Sequence, residues 1–304
     1  MEIRTLRYLQ AVAESGNVSG AARALHLTQP TLSRQLSALE DELCCALFDR
    51  THRGLTLNPQ GAMLLRYAES ILELADKARE EISPSGDAAT GSVRLGAGET
   101  MNMIYVARAM RRLAERHPHV DIQLQSGTTV DLADRFARGS LDFLIECEVS
   151  PYPDLNVIEL PIRDRWGVVS PSGSELATRR SVRAVDLQGL PLILPRQSRA
   201  NGTLSAWADG ALDQANVRAE YNLPLNASIL VRGGAGFQLT YEGIFKTGDA
   251  SGLAFTPLDP NLVSVQGLIW RKAALSKPAQ AFLDALRQEL DGAQPDQDLR
   301  AAVS

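Results

Sequence analysis

The sequence has 304 residues, of which 44% are hydrophobic and 22% charged, and its formal net charge is −5, a composition typical of an ordinary globular protein with room for two or three domains. It has no apolar run long enough to cross a bilayer, and its N-terminal MEIRTLRYLQ lacks a signal-peptide core, so we expect a cytoplasmic protein with no membrane partner. The three cysteines, Cys44, Cys45 and Cys147, are too few and too poorly spaced for a disulfide framework or zinc site, and we expect no metal or cofactor.

The first 40 residues predict three helices. Residues 3–15 show helical spacing of their apolar positions, and Gly16 ends this segment. The stretch from Ser19 to Glu40, SGAARALHLTQPTLSRQLSALE, is typical of two short helices joined by a tight turn. Thr28 is a suitable N-cap for the second of them, and Pro30 fits its first turn, where the missing N–H does no harm.

The helix that follows Thr28 has two distinct faces. Leu32, Leu36 and Leu39 recur at the three- to four-residue spacing of a buried stripe. The outward positions are uncharged hydrogen-bonding residues and one arginine: Gln29, Thr31, Ser33, Arg34 and Ser37. Such a face suits base edges and phosphates in a DNA major groove. On this stretch alone, the alternative that the helix pair is only a packing unit stays open.

The segment after this helix predicts a β-wing. Leu55 and Leu57 alternate with a polar residue as they would in a strand. The preceding loop carries Arg50, His52 and Arg53, and arginines on such a loop can enter a minor groove or bind phosphate. The alternative is a solvated basic loop.

The distribution of charge favours a separate N-terminal module. Residues 1–66 contain seven arginines and six acidic residues, a net charge of +1, which leaves −6 for the rest of the chain. A small module with clustered arginines on an acidic body can bind DNA locally while the body stays away from it.

A long helix is predicted from about Asn58 to Ile82, with Pro59 in its first turn. At 1.5 Å per residue this helix extends roughly 35 Å. A helix of this length with one narrow apolar seam needs a partner, most simply its twin from another subunit. The following stretch, residues 84–91, is typical of a hinge-like linker.

The remainder alternates predicted strands and helices, as in α/β proteins. The first strand is expected at residues 93–97 and is followed by a helix over 100–116. Later segments include a strand at 165–170, a helix over 203–215 and a closing helix over 278–290.

These residues resemble a known family, the LysR-type transcriptional regulators, along essentially the whole chain. The match is densest in LRYLQAVAESGNVSGAARALHLTQPTLSRQLSALEDEL and continues through LFDRTHRGLTLNPQGAMLL. The resemblance implies an α+β and α/β fold with a winged helix-turn-helix, a linker helix and a two-lobed effector domain like periplasmic solute-binding proteins. The implied domains are 1–58, 59–91 and 92–304, the last divided into lobe I (92–160 and 262–304) and lobe II (161–261).

The resemblance also implies roles for matching positions. Those facing DNA would be Gln29, Pro30, Thr31, Ser33 and Arg34 on the second helix of the pair, with Arg50 and Arg53 on the wing. Those facing an effector between the lobes would be Thr100, Ser126, Thr128, Thr129, Arg196, Gln197 and Asn226. Ordinary helix capping is the competing explanation for the threonines and the asparagine.

Four positions depart from the family pattern or invite another role. Cys44-Cys45 stands where the family usually has glycine and an aliphatic residue, and a left-handed Cys44 would cost on the order of 1 kcal/mol. Glu99 places a carboxylate at the cleft mouth, which would weaken binding of a purely anionic ligand. Cys147 lacks an obvious resolving partner for redox sensing.

We expect a ligand-responsive regulator that binds operator DNA and a polar or carboxylate metabolite. It would act as a homodimer or homotetramer, with RNA polymerase as a further candidate partner. The alternative is a constitutive DNA binder with a silent cleft. The four histidines form no catalytic constellation, and no nucleophile elbow, P-loop or metal-ligand motif occurs, which argues against an enzyme.

Overall fold

The computed structural model of the chain describes residues 1–51, 54–82, 89–147, 152–196, 203–212, 215–295 and 297. The chain divides into two compact units, Met1–Pro84 with Arg138–Ser140, and Ser85–Ala137 with Leu141–Ser304. Most of the predicted hinge lies outside the described residues. Within the described ranges, no helix is both long enough and apolar enough to span a bilayer.

The N-terminal unit is the predicted winged helix-turn-helix followed by a long helix. Its elements are α1 (Ile3–Ser15), α2 (Val18–Ala24), α3 (Gln29–Leu43), β1 (Phe48–Thr51), β2 (Gly54–Leu57) and α4 (Pro59–Ile82). One apolar core joins the helices, and Leu9, Val12 and Leu32 in it are fully buried. Ala68 of α4 belongs to the same core, so the start of the long helix is part of this module.

The helix ends in this unit follow from local sequence. Asn17 caps α2 by accepting a 2.6 Å hydrogen bond from the backbone N–H of Gly20. The hydroxyl of Thr28 accepts from the N–H of Thr31 at the start of α3, as predicted. α1 and α3 both end on a left-handed residue, Gly16 with φ 65° and Cys44 with φ 53°.

The wing is anchored to the end of α1. The N–H of Leu55 donates to the carbonyl oxygen of Gly16 at 2.9 Å. Gly54 lies so close that a Cβ atom there would stand 2.6 Å from the same oxygen. Since no side chain fits at that approach, glycine at position 54 is required to hold β1 and β2 against the helical core.

In the part of the chain that the structure describes, the second unit is built on a nine-stranded mixed sheet. Its strands are β3 (Gly91–Ala97), β4 (Val120–Ser126), β5 (Phe143–Cys147), β6 (Leu155–Pro171), β7 (Pro191–Pro195), β8 (Asn216–Tyr221), β9 (Phe237–Tyr241), β10 (Leu253–Pro257) and β11 (Val263–Arg271). Its helices are α5 (Met103–Arg116), α6 (Thr129–Ala137), α7 (Thr203–Ala208), α8 (Pro224–Arg232) and α9 (Lys277–Asp291). The strand order is β4-β3-β5-β11-β6-β9-β7-β8, with β10 pairing with β6.

This unit has two lobes, each with apolar cores of its own. Lobe I comprises β3, β4, β5, α5, α6 and α9, and its core contains Tyr105, Phe143 and Phe282. Lobe II comprises β7 to β10, α7 and α8, and one of its cores contains Leu192 and Leu239. The long antiparallel strands β6 and β11 run through both lobes.

The elements agree with the predicted alternation, with three differences in extent. β6 begins at Leu155, ten residues before the predicted start, because its first half pairs with β11 before its second half enters lobe II. α5 begins at Met103 instead of residue 100, since the hydroxyl of Thr100 is used for tertiary hydrogen bonds. The helix predicted over 203–215 ends at Ala208 and is followed by the left-handed Asp209.

Candidate DNA-binding surface and effector cleft

The outward face of α3 is fully presented to solvent. Leu32, Leu36 and Leu39 are 0%, 5% and 2% exposed. The remaining residues of the face are all exposed: Gln29, Pro30, Thr31, Ser33, Arg34 and Ser37. Because the three leucines fix the rotation of the helix about its axis, their burial is enough to direct the polar residues outward.

The start of α3 is organised by short hydrogen bonds between polar side chains. The hydroxyls of Thr28 and Thr31 lie 2.8 Å apart, and the hydroxyl of Ser19 on α2 donates to Oε1 of Gln29 at 3.1 Å. This geometry presents the helix N-terminus as a set of donors and acceptors of the kind that contacts phosphates and base edges.

For the predicted DNA-contacting residues of the wing, the structure describes only the backbone of Arg50. Arg50 pairs with Leu55 in the β1–β2 ladder. The side chain of Arg50 and all of His52 and Arg53 lie outside the described residues.

The second site is a cleft between the two lobes with a cavity volume of about 160 Å³. It lies at the carboxyl ends of β3, β4 and β5 from lobe I and of β7, β8 and β9 from lobe II. Ligands of open α/β sheets bind at this end of the strands, because the loops there are free to carry polar groups.

Three of the residues expected to contact an effector line this cleft: Thr128, Thr129 and Arg196. Thr128 and Asp131 cap α6 reciprocally, the N–H of each donating to the side chain of the other at 3.2 Å. Arg196 follows β7 and is exposed.

The other expected contacts lie elsewhere. Thr100 and Ser126 border a neighbouring depression of about 200 Å³. Asn226 is exposed on α8 and lines neither cavity. Gln197 lies outside the described residues.

Thr100 belongs to a buried polar cluster on the strands that join the lobes. Its hydroxyl donates to Oδ2 of Asp164 at 2.5 Å and accepts from the N–H of Asn102 at 3.1 Å. Asp164 on β6 is 2% exposed, and burial raises its pKa to about 6 although Thr100 and the backbone N–H of Met101 stabilise the charged form.

Glu99 spans the cleft from lobe I to lobe II. It follows β3, and its carboxylate accepts a hydrogen bond from the backbone N–H of Leu225 in the first turn of α8. Burial raises the pKa of this carboxyl group, and the hydrogen bond opposes the rise. The N-cap of α8, Leu223, offers no side-chain acceptor, so Glu99 serves in its place.

Sequence reasoning missed the aromatic residues of the cleft: Trp166, Tyr221 and Tyr241. The rings of Trp166 and Tyr241 lie with their centroids 4.4 Å apart. The hydroxyl of Tyr221 donates to the carbonyl oxygen of Leu239 at 2.6 Å, and burial raises its pKa. Tyr221 and Tyr241 end parallel strands, and that position is the signal that could have identified them.

Within the described ranges, no group of three or more His, Cys, Asp or Glu side chains is arranged to hold a metal ion. Cys44, Cys45 and Cys147 are unlinked to one another.

Two family models match the chain. Residues 3–62 match the bacterial regulatory helix-turn-helix protein of the lysR family, and residues 86–291 match the LysR substrate binding domain. The chain belongs to the LysR family. It is a DNA-binding transcriptional regulator with a substrate-binding domain, not an enzyme.

Named relatives span most of the chain. The SDS degradation transcriptional activation protein of Pseudomonas sp. (strain ATCC 19151) is 31% identical over 98% of this chain and 99% of that protein. The probable hydrogen peroxide-inducible genes activator of Mycobacterium avium is 35% identical over 78% of this chain and 76% of that protein.

Solved structures share the fold. The crystal structure of CbnR, a LysR family transcriptional regulator, superimposes with a TM-score of 0.70 at 22% identity, covering 95% of this chain and 99% of that one. Full-length CbnR complexed with its target DNA gives a TM-score of 0.69 at 21% identity, over 95% of this chain and 100% of that one.

Proposed function

We propose that this LysR-family regulator binds a polar small molecule in the cleft between its lobes and thereby changes how it binds or bends operator DNA. The observation that carries the proposal is the cleft itself, which both lobes line with ionisable and hydroxyl side chains. A ligand that contacts both lobes binds one interlobe arrangement better than another, and so shifts the population between them.

On the DNA side, we propose that Gln29, Pro30, Thr31, Ser33 and Arg34 read the major groove. The exposure of these residues above three buried leucines supports the assignment. An arginine can donate two hydrogen bonds to guanine, which gives Arg34 the largest expected share of specificity. Arg50 and Arg53 are proposed to contact the minor groove or phosphates next to that site.

The proposed functional division is residues 1–58 for DNA binding, 59–91 for the linker helix and hinge, and 92–304 for effector binding. We assign lobe I to 92–160 and 262–304 and lobe II to 161–261. The first crossing then falls within β6, and the second falls just before β11 begins at Val263.

We propose that α4 pairs with a second copy of the chain in a homodimer or homotetramer. Met63, Tyr67 and Leu74 are large apolar residues of α4 that remain 53%, 54% and 37% exposed. Their spacings of four and seven residues place them along one seam of the helix, as in a coiled coil. Two paired copies would present two α3 helices to the two halves of an operator.

The DNA proposal is tested by selecting binding fragments from a random pool with the full chain and comparing wild type with Arg34→Ala by fluorescence anisotropy. We expect the variant to lose specific affinity while keeping salt-sensitive non-specific binding. Unchanged specific binding at moderate salt removes Arg34 from recognition.

Effector sensing is tested by thermal-shift screening of the full chain against small organic acids, amines and amino acids. A ligand that binds the folded chain raises Tm with its concentration and should alter the anisotropy or bending of the selected DNA. If no compound raises the Tm of the chain, the result supports the alternative of a constitutive DNA binder.

A further inference from the structure

The carboxylate of Glu99 has an oxygen without a partner. One part of the group accepts the hydrogen bond from the N–H of Leu225, but Oε2 is buried and has no hydrogen-bond partner among the described residues. A buried carboxylate oxygen without a donor is unfavourable in the unliganded protein. The carboxyl group as a whole lines the cleft, where a cationic ligand group would stabilise its charge.

Carboxylates lie at two of the helix N-termini that border the cleft, those of α6 and α8. α6 is capped by Asp131, which accepts from the N–H of Thr128 at 3.2 Å. α8 receives the carboxylate of Glu99 at Leu225. A purely anionic ligand would therefore meet negative charge at both of these helix N-termini.

The remaining groups of the cleft favour a ligand that carries both charges. Trp166, Tyr221 and Tyr241 line it with aromatic surface, which attracts cations through the faces of the rings. Arg196 lines the same cavity. One carboxylate and one guanidinium therefore stand in the same cleft, each able to take an opposite charge.

We propose that the ligand of the cleft is a small zwitterionic amine whose ammonium group faces the carboxylate of Glu99 and whose carboxylate faces Arg196. This inference rests on the proposed function, because it names the chemical class of effector for the same cleft. It differs from a simple carboxylate effector in requiring the amine.

The test uses matched probes that differ only in their charged groups, titrated calorimetrically into the full chain. One set is L-leucine, 4-methylpentanoate and isopentylamine, and another is L-phenylalanine, 3-phenylpropanoate and phenethylamine. We expect an amino acid to bind at least about tenfold more tightly than the carboxylate that lacks its amine, since only the amine offers Glu99 an opposite charge.

Glu99→Gln provides the decisive variant. Its amide oxygen can still accept from Leu225, so the fold should persist, and an unchanged far-UV CD spectrum and Tm check this. We expect the variant to lose about tenfold in affinity for the amino acid and nothing for the carboxylate without the amine. The control is Glu115→Gln, which removes the same charge from an exposed position of α5 and should change neither affinity.

The outcomes separate this inference from the proposed function. If the carboxylates without the amine bind as tightly as the amino acids, or if Glu99→Gln tightens their binding, the amine requirement is wrong and effector sensing stands. If no probe of either kind binds saturably at millimolar concentration, both the zwitterion and the sensing proposal fail.

Discussion

The outward face of α3 and the cleft between the lobes differ in shape and in how their polar residues are held in place. The face is convex, and three buried leucines in one helix hold its polar residues outward. The cleft is concave, and its polar residues come from the ends of six strands in two lobes. A residue of the face can therefore change binding without changing stability. Cleft residues also bridge the lobes, as Glu99 does at Leu225, so their substitution combines the two effects.

The largest expected effect comes from removing one of the leucines under the face. Leu32→Ala should destabilise the N-terminal unit by about 3 kcal/mol, because it leaves a cavity at a fully buried position. Scanning calorimetry of the full chain should show the transition of the N-terminal unit moving to lower temperature. Ser37→Ala on the same helix is exposed and serves as the control, with a change within about 0.5 kcal/mol. Equal effects of the two variants would contradict the assigned rotation of α3.

The buried carboxylate of Asp164 should make the stability of the effector domain depend on pH. Its pKa is raised to about 6 in the folded protein, so its contribution to stability is full below its ordinary pKa and is lost as the pH rises through about 6. Relative to Asp164→Asn, the wild type should lose about 3 kcal/mol of unfolding free energy between about pH 3 and about pH 7. Urea unfolding of both proteins across this range measures the difference. If the unfolding free energies of the two proteins change with pH in parallel, the pKa of Asp164 is not raised in the folded protein.

Arg34→Ala should have a smaller effect, confined to DNA binding. We expect a loss of about 1–3 kcal/mol in specific affinity, as for one bidentate contact to a base, with the unfolding free energy unchanged within about 0.5 kcal/mol. Arg111→Ala removes the same charge from an exposed position of α5 and is the control for net charge. If Arg34→Ala also lowers the unfolding free energy, then Arg34 contributes to the stability of the N-terminal unit. The face of α3 would then resemble the cleft, where substitutions affect both binding and stability.

The two sites also differ in how far the sequence predicts them. The burial pattern of α3 is local, because helical period, Thr28 and Pro30 determine which residues face outward within a span of about four turns. The aromatic residues of the cleft depend on the order of β6, β8 and β9 in the sheet, and periodicity along the chain carries no information about that order. Thr100 shows the same limit, since its hydroxyl is directed by Asp164, a residue 64 positions away.

The smallest expected effect concerns the two helix ends that the N-terminal unit places in the same left-handed conformation. Gly16 and Cys44 have φ values of 65° and 53°, but only glycine adopts this region without steric cost. Cys44→Gly should therefore stabilise the unit by up to about 1 kcal/mol, and Gly16→Ala should destabilise it by about 1 kcal/mol. A Cβ at position 16 would meet no atom within 4 Å, so the cost of the alanine is conformational and not a clash. Urea unfolding of the two variants compares them directly. If both shift stability in the same direction, the left-handed geometry at one of the two ends is wrong, and the rotation of the helix that it terminates must be reconsidered.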